Sequence, residues 1–168
     1  AGDWDRVEAM LARIDALRHA FPDHQDIALQ EAMAAVNVTK HAGKAGDWDR
    51  VEAALNRLKA GVETLVTLPG FSAPALRGAA LGIIFGPAFE GSRDWQRWAG
   101  QTALEILARH SSALEPEEVG LVYAILKAAR QLFPEEDWLQ PALEAAEDAG
   151  FDWDQIPDLP SRESPPAP

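Results

Sequence analysis

The sequence has no cysteine, no long hydrophobic run and few basic residues in its C-terminal third. Without cysteine, disulfide bonds and thiolate chemistry are excluded. The longest apolar stretch runs from Gly78 to Phe89, contains Pro87 and is too short to cross a bilayer, so we expect no membrane partner. Between positions 110 and 160 only 2 basic residues accompany 12 acidic ones, and this negative charge would repel a nucleic acid.

Sequence signatures of common enzyme and metal sites are missing as well. The chain has no G-x-S-x-G motif, no phosphate-binding loop and no dinucleotide-binding fingerprint. Its four histidines lack zinc-site spacing, and the aspartates between positions 148 and 158 lack the pattern of a calcium loop. We therefore expect no catalytic activity, no cofactor and no bound metal. No signal-peptide pattern is present, which leads us to expect a cytoplasmic protein.

An internal repeat is the main positive feature of the sequence. Residues 1–16 read AGDWDRVEAMLARIDA and residues 45–60 read AGDWDRVEAALNRLKA, with nine identical positions in a row at an offset of 44. Asp-Trp pairs recur with spacings of 44, 47 and 43, a period that indicates a helical repeat array. We expect the repeated tryptophans to pack at junctions between helical hairpins; they are Trp4, Trp48, Trp95 and Trp138. We expect Trp48 in particular to be largely buried at such a junction, packed on the preceding helix.

Each Asp-Trp pair is interpreted as a helix start. Asp47 can accept a hydrogen bond from a free backbone N–H of the first turn, and Gly46 before it permits a sharp change of direction. Apolar residues then follow at steps of three and four, which is the spacing of one helix face; they are Trp48, Val51, Leu55, Leu58, Val62 and Leu65. A fifth pair, Asp152-Trp153, is predicted to begin a short capping turn.

These patterns predict an all-α protein of tandem antiparallel helical hairpins, stacked as a short α-solenoid. The repeat domain is predicted to span residues 1–156, with a lone helix at 3–20, hairpins at 24–66, 72–112 and 116–148, and a Pro-rich flexible tail at 157–168. Three glycines four residues apart, Gly78, Gly82 and Gly86, line one helix face before Pro87. They favour either a close helix–helix approach or a smooth ligand floor, and Pro87 should interrupt the helix.

The segment from Gly46 to Ala53 resembles the start of the second helix of a tetratricopeptide repeat. Residues 2–9 match equally well, whereas residues 92–98 and 136–142 match only at the Asp-Trp pair and in general pattern. The unit of about 44 residues is longer than the roughly 34 of that family. The resemblance implies a right-handed stack of hairpins with a concave groove, and a function in binding proteins.

We therefore expect a protein–protein interaction scaffold that binds a protein or peptide. Candidate partner anchors are Trp98 and Trp153, which break the repeat pattern, because tryptophan is enriched in binding hot spots. An alternative is an acidic inhibitor or immunity-type protein that blocks a basic partner. Its candidate contacts are Glu144, Glu147 and Asp148, which share one helix face and would steer a basic segment.

The first predicted helix has no partner helix before it in the sequence. We therefore expect the chain to be the C-terminal part of a longer array. The stripe formed by Trp4, Val7, Leu11 and Ile14 should be covered on one side by the helix at 24–42 and stay partly open on the other. Self-association through this first helix is a further expectation, because an open apolar patch is unusual on a monomer.

Overall fold

The computed structural model describes residues 4–68, 71–88, 92–148, 150 and 152–160, and these form seven α-helices and no strand. The helices are α1 (Trp4–Ala20), α2 (Gln25–Ala45), α3 (Trp48–Leu65), α4 (Ser72–Phe85), α5 (Ser92–His110), α6 (Pro116–Leu132) and α7 (Gln140–Asp148). Three short 3-10 turns lie at Gly86–Ala88, Ser111–Ala113 and Trp153–Gln155. The predicted all-α class is confirmed.

The chain divides into two compact units, residues 1–75 and residues 76–168. The repeat pattern predicts instead a single domain over residues 1–156. The division between the units falls within α4, after Ala75. Each unit is described by itself.

The turn between α2 and α3 forms as the sequence predicts. Gly46 has a φ of 73°, in the left-handed region, and its backbone N–H donates to the carbonyls of Ala42 and Gly43 at the end of α2. The next residue, Asp47, accepts a hydrogen bond of 3.3 Å from the backbone N–H of Arg50 and so caps α3. Asp3, the matching residue before α1, lies outside the described residues.

Two other Asp-Trp pairs do not start helices, and for them the prediction is wrong. Helix α5 already begins at Ser92, so Asp94 lies inside its first turn, where its charge suits the positive end of the helix dipole. Asp137 and Trp138 lie in a turn before α7, which begins only at Gln140. Pro141 follows as the second residue of α7, where proline fits because the first-turn N–H groups have no helical partner.

In the first unit, α2 packs between α1 and α3. The α2 face toward α3 is built from small buried residues, which permit a close approach of the two helices; these are Ala28, Ala32, Ala35, Thr39 and Ala42. The predicted stripe of α3 is almost fully buried at Val51, Leu55, Leu58, Val62 and Leu65. By contrast, α1 contacts α2 but contains no buried residue.

In the second unit, α5 packs on α6. The core is formed by Ala99, Ala103 and Ile106 of α5, Val122, Ile125, Leu126 and Ala129 of α6, and Phe133, Leu139 and Leu143 beyond them. Gly100 lies at the closest approach of α5 to α6 and to the Trp138 ring. Helix α4 ends at Phe85, and the 3-10 turn that follows contains Pro87, as predicted.

One glycine of the α4 face lies next to α5. A Cβ added to Gly82 would lie 3.4 Å from the Trp98 ring, an ordinary van der Waals distance, so the indole packs on this face without requiring a glycine. The two interpretations of the glycine face, close packing and a ligand floor, both stay predictions.

The segment after α7 is also held in place, although the tail was predicted to be flexible from residue 157. Asp152 accepts a hydrogen bond from Asp154 N–H and starts the 3-10 turn at Trp153, so the predicted capping turn is confirmed. Lys127 of α6 donates to the Ile156 carbonyl at 2.7 Å and lies 2.8 Å from the Asp158 carboxylate. Residues 157–160 therefore lie against α6, and residues 161–168 lie outside the described residues.

Two helix glycines, Gly100 of α5 and Gly120 of α6, provide a matched pair of substitutions. A Cβ at Gly100 would lie 2.6 Å from the Trp138 ring and 3.1 Å from Ala129 Cβ, whereas a Cβ at Gly120 meets nothing within 4 Å. We expect Gly100→Ala to lower the free energy of unfolding by about 1–2 kcal/mol, since overpacking outweighs the gain in helix propensity. Gly120→Ala should raise it by up to about 1 kcal/mol.

Urea unfolding followed by circular dichroism measures both changes. Gly120→Ala serves as the control, because it adds the same methyl group to a helix without meeting another residue. Equal stabilisation by the two substitutions would contradict the close packing of Gly100 on Trp138.

Candidate partner-binding surface

Helices α1 and α3 share nearly the same sequence but differ in how far they are covered. At matching repeat positions, Met10 is 45% exposed and Ala54 6%, and Phe21 is 55% exposed and Leu65 1%. Val7 is half-buried, while the matching Val51 is fully buried. Exposed Leu17 extends the open edge of α1. The expectation that the first helix keeps a partly open apolar stripe is thus confirmed.

Two ion pairs hold α1 beside α3. Arg50 of α3 lies 2.9 Å from the Glu8 carboxylate, and Arg57 donates to the Asp15 carboxylate with one bond of 3.0 Å. Both pairs join residues 42 apart in sequence. The two acids and the two arginines are each seven residues apart, so α1 and α3 run side by side in the same direction.

Arg50 of α3 contacts both α1 and the turn that precedes α3. Besides Glu8 it binds the capping residue Asp47, and its guanidinium lies 4.8 Å from the centre of the Trp4 ring. Its hydrogen bond holds the pKa of Asp47 below the usual value. The carboxylates of Glu8 and Asp47 in turn raise the pKa of Arg50. The cap of α3 and the position of α1 therefore depend on the same side chain.

A groove of about 540 Å³ lies between α1 and α2. Its wall on α1 is apolar, and its wall on α2 contains apolar and polar residues in equal number; the lining residues are Trp4, Val7, Met10, Ala34, Asn37, Val38, His41, Lys44 and Ala45. Arg6 and Arg13 lie about one turn before and after Met10 on α1, and both are exposed. The groove is therefore an apolar surface bordered by basic side chains.

The two predicted tryptophan anchors lie within the second unit. Trp153 is only 8% exposed, and its ring packs edge-on against Tyr123 with centroids 6.2 Å apart. The expectation of an exposed anchor at Trp153 is wrong, because the indole completes the core beneath the C-terminal turn. Trp98 is half-buried between the Gly82 face of α4 and Trp95, whose ring centroid lies 5.7 Å away.

The repeated tryptophans are buried to different degrees. Trp95 is buried, whereas Trp4, Trp48 and Trp138 are half-buried. Trp48 begins α3 next to the turn, and the larger part of its surface is covered, as expected.

The predicted acidic contacts lie on the exposed part of α7. Glu144, Glu147 and Asp148 are all exposed. Glu147 forms an ion pair of 3.1 Å with Arg130 of α6, so part of this charge already has a partner within its own unit.

A cluster around Glu136 was missed by the sequence analysis. Arg97 of α5 makes a two-pronged contact with Glu136, at 3.0 and 2.6 Å, and the Trp138 indole N–H donates to the same carboxylate. Arg97 also lies 5.5 Å from the centre of the Phe133 ring. The repeated spacing of Asp and Arg three residues apart, as in Asp47 and Arg50, was the signal that could have identified Arg97.

The cluster holds the turn before α7 against α5. Hydrogen bonds from Arg97, and then from Trp138, lower the pKa of Glu136 to about 2. The arrangement stabilises the ionised form of this carboxyl group.

No helix formed by the described residues is both long enough and apolar enough to span a membrane. Comparison with protein-family models, curated proteins and solved structures finds nothing that matches this chain. The tetratricopeptide-like resemblance and the stacked arrangement thus stay predictions.

The lowered pKa of Glu136 predicts a specific dependence of stability on pH. A carboxyl group whose pKa is lower in the folded state stabilises the protein above its unfolded pKa, and this contribution disappears as the pH falls toward about 2. Wild-type protein should therefore lose more stability between about pH 5 and pH 2 than a Glu136→Gln variant. The urea midpoint measured at each pH gives the comparison.

Glu135→Gln is the matched control, because Glu135 is the exposed neighbour of Glu136 in the same turn. It should follow the wild-type profile. An acid-induced loss of the same size in Glu136→Gln and wild type would show that the Arg97–Glu136 contact does not contribute.

Proposed function

We propose that this chain is a protein-interaction module built from helical repeats, and that its α1–α2 surface receives a segment of a partner protein. The observation that carries the proposal is the open stripe of α1. Its repeat counterpart α3 is buried along the same stripe, while Met10 and Leu17 of α1, and Phe21 directly after it, remain exposed. An exposed apolar surface next to a basic rim is typical of an interaction site.

The shape of the surface favours a helical partner segment. The groove lies between two helices, with its lining spread from Trp4 to Met10 on α1 and from Ala34 to Ala45 on α2. Amphipathic helices bind such grooves through apolar residues at steps of three and four. The packing of α3 on α2 within the same unit is an example of this mode in this chain.

A second candidate is the acidic inhibitor that blocks a basic partner. It rests on the excess of acidic residues between positions 110 and 160. However, Glu136, Glu147 and Asp158 are already paired with Arg97, Arg130 and Lys127 of the same unit. The charge left for a partner is smaller than the composition indicates, so the α1–α2 surface is the stronger candidate.

A display library of amphipathic helical peptides, with unrestricted residues at the polar positions, tests the proposed function. Selection on the wild-type chain should enrich binders that a Met10→Glu variant no longer holds, because a buried carboxylate at the groove wall would be costly. Leu132→Glu is the control; it places the same charge on an exposed apolar residue of the second unit. If no binder depends on Met10, the proposed function is wrong.

A further inference from the structure

The second unit contains a groove of its own, with a volume of about 330 Å³. It lies between the end of α4, the first part of α5, helix α6 and the C-terminal segment at 158–160. Most of the lining is apolar, and its larger side chains are Ile83, Ile84, Leu132 and Leu159. The volume is at the small end of the range for sites that bind small molecules.

Gln96 of α5 stands in the wall of this groove, at a position where the helix pattern favours an apolar residue. Buried Ala99, Ala103 and Ile106 follow it at steps of three and four on the same helix face. Gln96 itself is only 8% exposed. Because it borders the groove, the little surface that it retains is reached from there.

The side-chain amide of Gln96 forms no hydrogen bond with any residue that the structure describes. Buried polar side chains are as a rule hydrogen-bonded, because an unsatisfied donor or acceptor loses the bonds that water would provide. Buried Thr39 follows this rule, since its hydroxyl donates to the Ala35 carbonyl at 2.9 Å. Gln96 therefore offers both a donor and an acceptor to a group in the groove.

The charge of the lining favours a neutral ligand. Asp158 is the one charged residue among the described residues that border the groove, and its carboxylate lies 2.8 Å from Lys127 Nζ. The other polar residue of the lining, Gln131, is exposed and uncharged. A charged ligand would lose solvation beside the apolar walls without gaining an opposite charge that lacks a partner.

We propose that this groove binds a small neutral molecule with an apolar body and a carboxamide head. The amide nitrogen of the ligand donates to Gln96 Oε1, and its carbonyl oxygen accepts from Gln96 Nε2. The apolar body covers Ile84 and Leu132. A ketone lacks the donor, and a carboxylic acid is ionised at neutral pH, so a carboxamide matches Gln96 better than either.

Three probes of nearly equal shape test the proposal: hexanamide, methyl pentyl ketone and hexanoate. They share the pentyl chain and the carbonyl group, and differ in carrying an amino group, a methyl group or a charged oxygen. Binding to the isotope-labelled full chain is followed by NMR titration. Backbone signals of Ile84, Ala128 and Leu132 should move with hexanamide, and hexanoate should bind about tenfold more weakly or less.

Gln96→Met keeps the length of the side chain and removes its amide. The affinity for hexanamide divided by that for the ketone should fall by about threefold to tenfold, which corresponds to one net hydrogen bond. Taking the ratio within each variant cancels the different hydration of the two probes. Gln101→Met is the matched control, because it makes the same change at an exposed residue of α5 and should leave the ratio unchanged.

Urea unfolding of Gln96→Met provides a readout that does not depend on a ligand. Since the amide has no partner in the described part of the chain, the urea midpoint should equal or exceed that of the wild type. A clearly lower midpoint would show that the amide is bonded inside the chain and would overturn the proposal.

The probes also give outcomes that overturn the proposal. It fails if no groove signal moves with hexanamide, if hexanoate binds wild type as tightly as hexanamide does, or if folded Gln96→Met keeps the wild-type ratio. The site lies within the second unit and does not rest on the proposed function. Met10→Glu, which tests the α1–α2 surface, should leave hexanamide binding unchanged.

Discussion

A helix with a wide apolar stripe needs neighbours on two sides, and α1 has them on one side only. The repeat makes this constraint visible, because α3 carries nearly the same stripe and buries it. At Leu55 and Leu58 the stripe is fully buried, whereas the matching Leu11 and Ile14 of α1 are only half-buried. The difference lies in the surroundings of the two helices, since their first residues are identical.

Ion pairs set the register of α1 beside α3. With no buried residue of its own, α1 is tied to α3 by Glu8–Arg50 and Asp15–Arg57. Exposed ion pairs contribute little to the free energy of unfolding, but two pairs at equal spacing determine register and direction. This explains why α1 is well oriented and yet retains surface for a partner.

In the second unit, several acidic residues form ion pairs with basic residues of the same unit. Glu136 fixes the turn before α7 on Arg97, and Asp158 holds the C-terminal segment on Lys127. Both contacts join residues distant in sequence, 39 positions apart for Arg97 and Glu136. Acidic charge that resembles a docking surface in the sequence therefore serves in part as internal structure.

Local features of the sequence determined the helices and the first hairpin. Steps of three and four place the stripe of α3, and Gly46 with Asp47 ends one helix and begins the next through bonds within five residues. The internal repeat also predicted helix α1 and its partly open apolar face. These features depend on backbone conformation and side-chain spacing, which a short segment specifies by itself.

Only the tertiary structure decided what each Asp-Trp pair does. The same dipeptide caps α3 at Asp47, lies within the first turn of α5 at Asp94, and precedes α7 at Asp137. Burial of Trp153 depends on Tyr123, 30 positions earlier, which no local pattern indicates. The physical reason is that a tryptophan is buried by whichever surface the folded chain brings to it, and that surface comes from residues distant in the sequence.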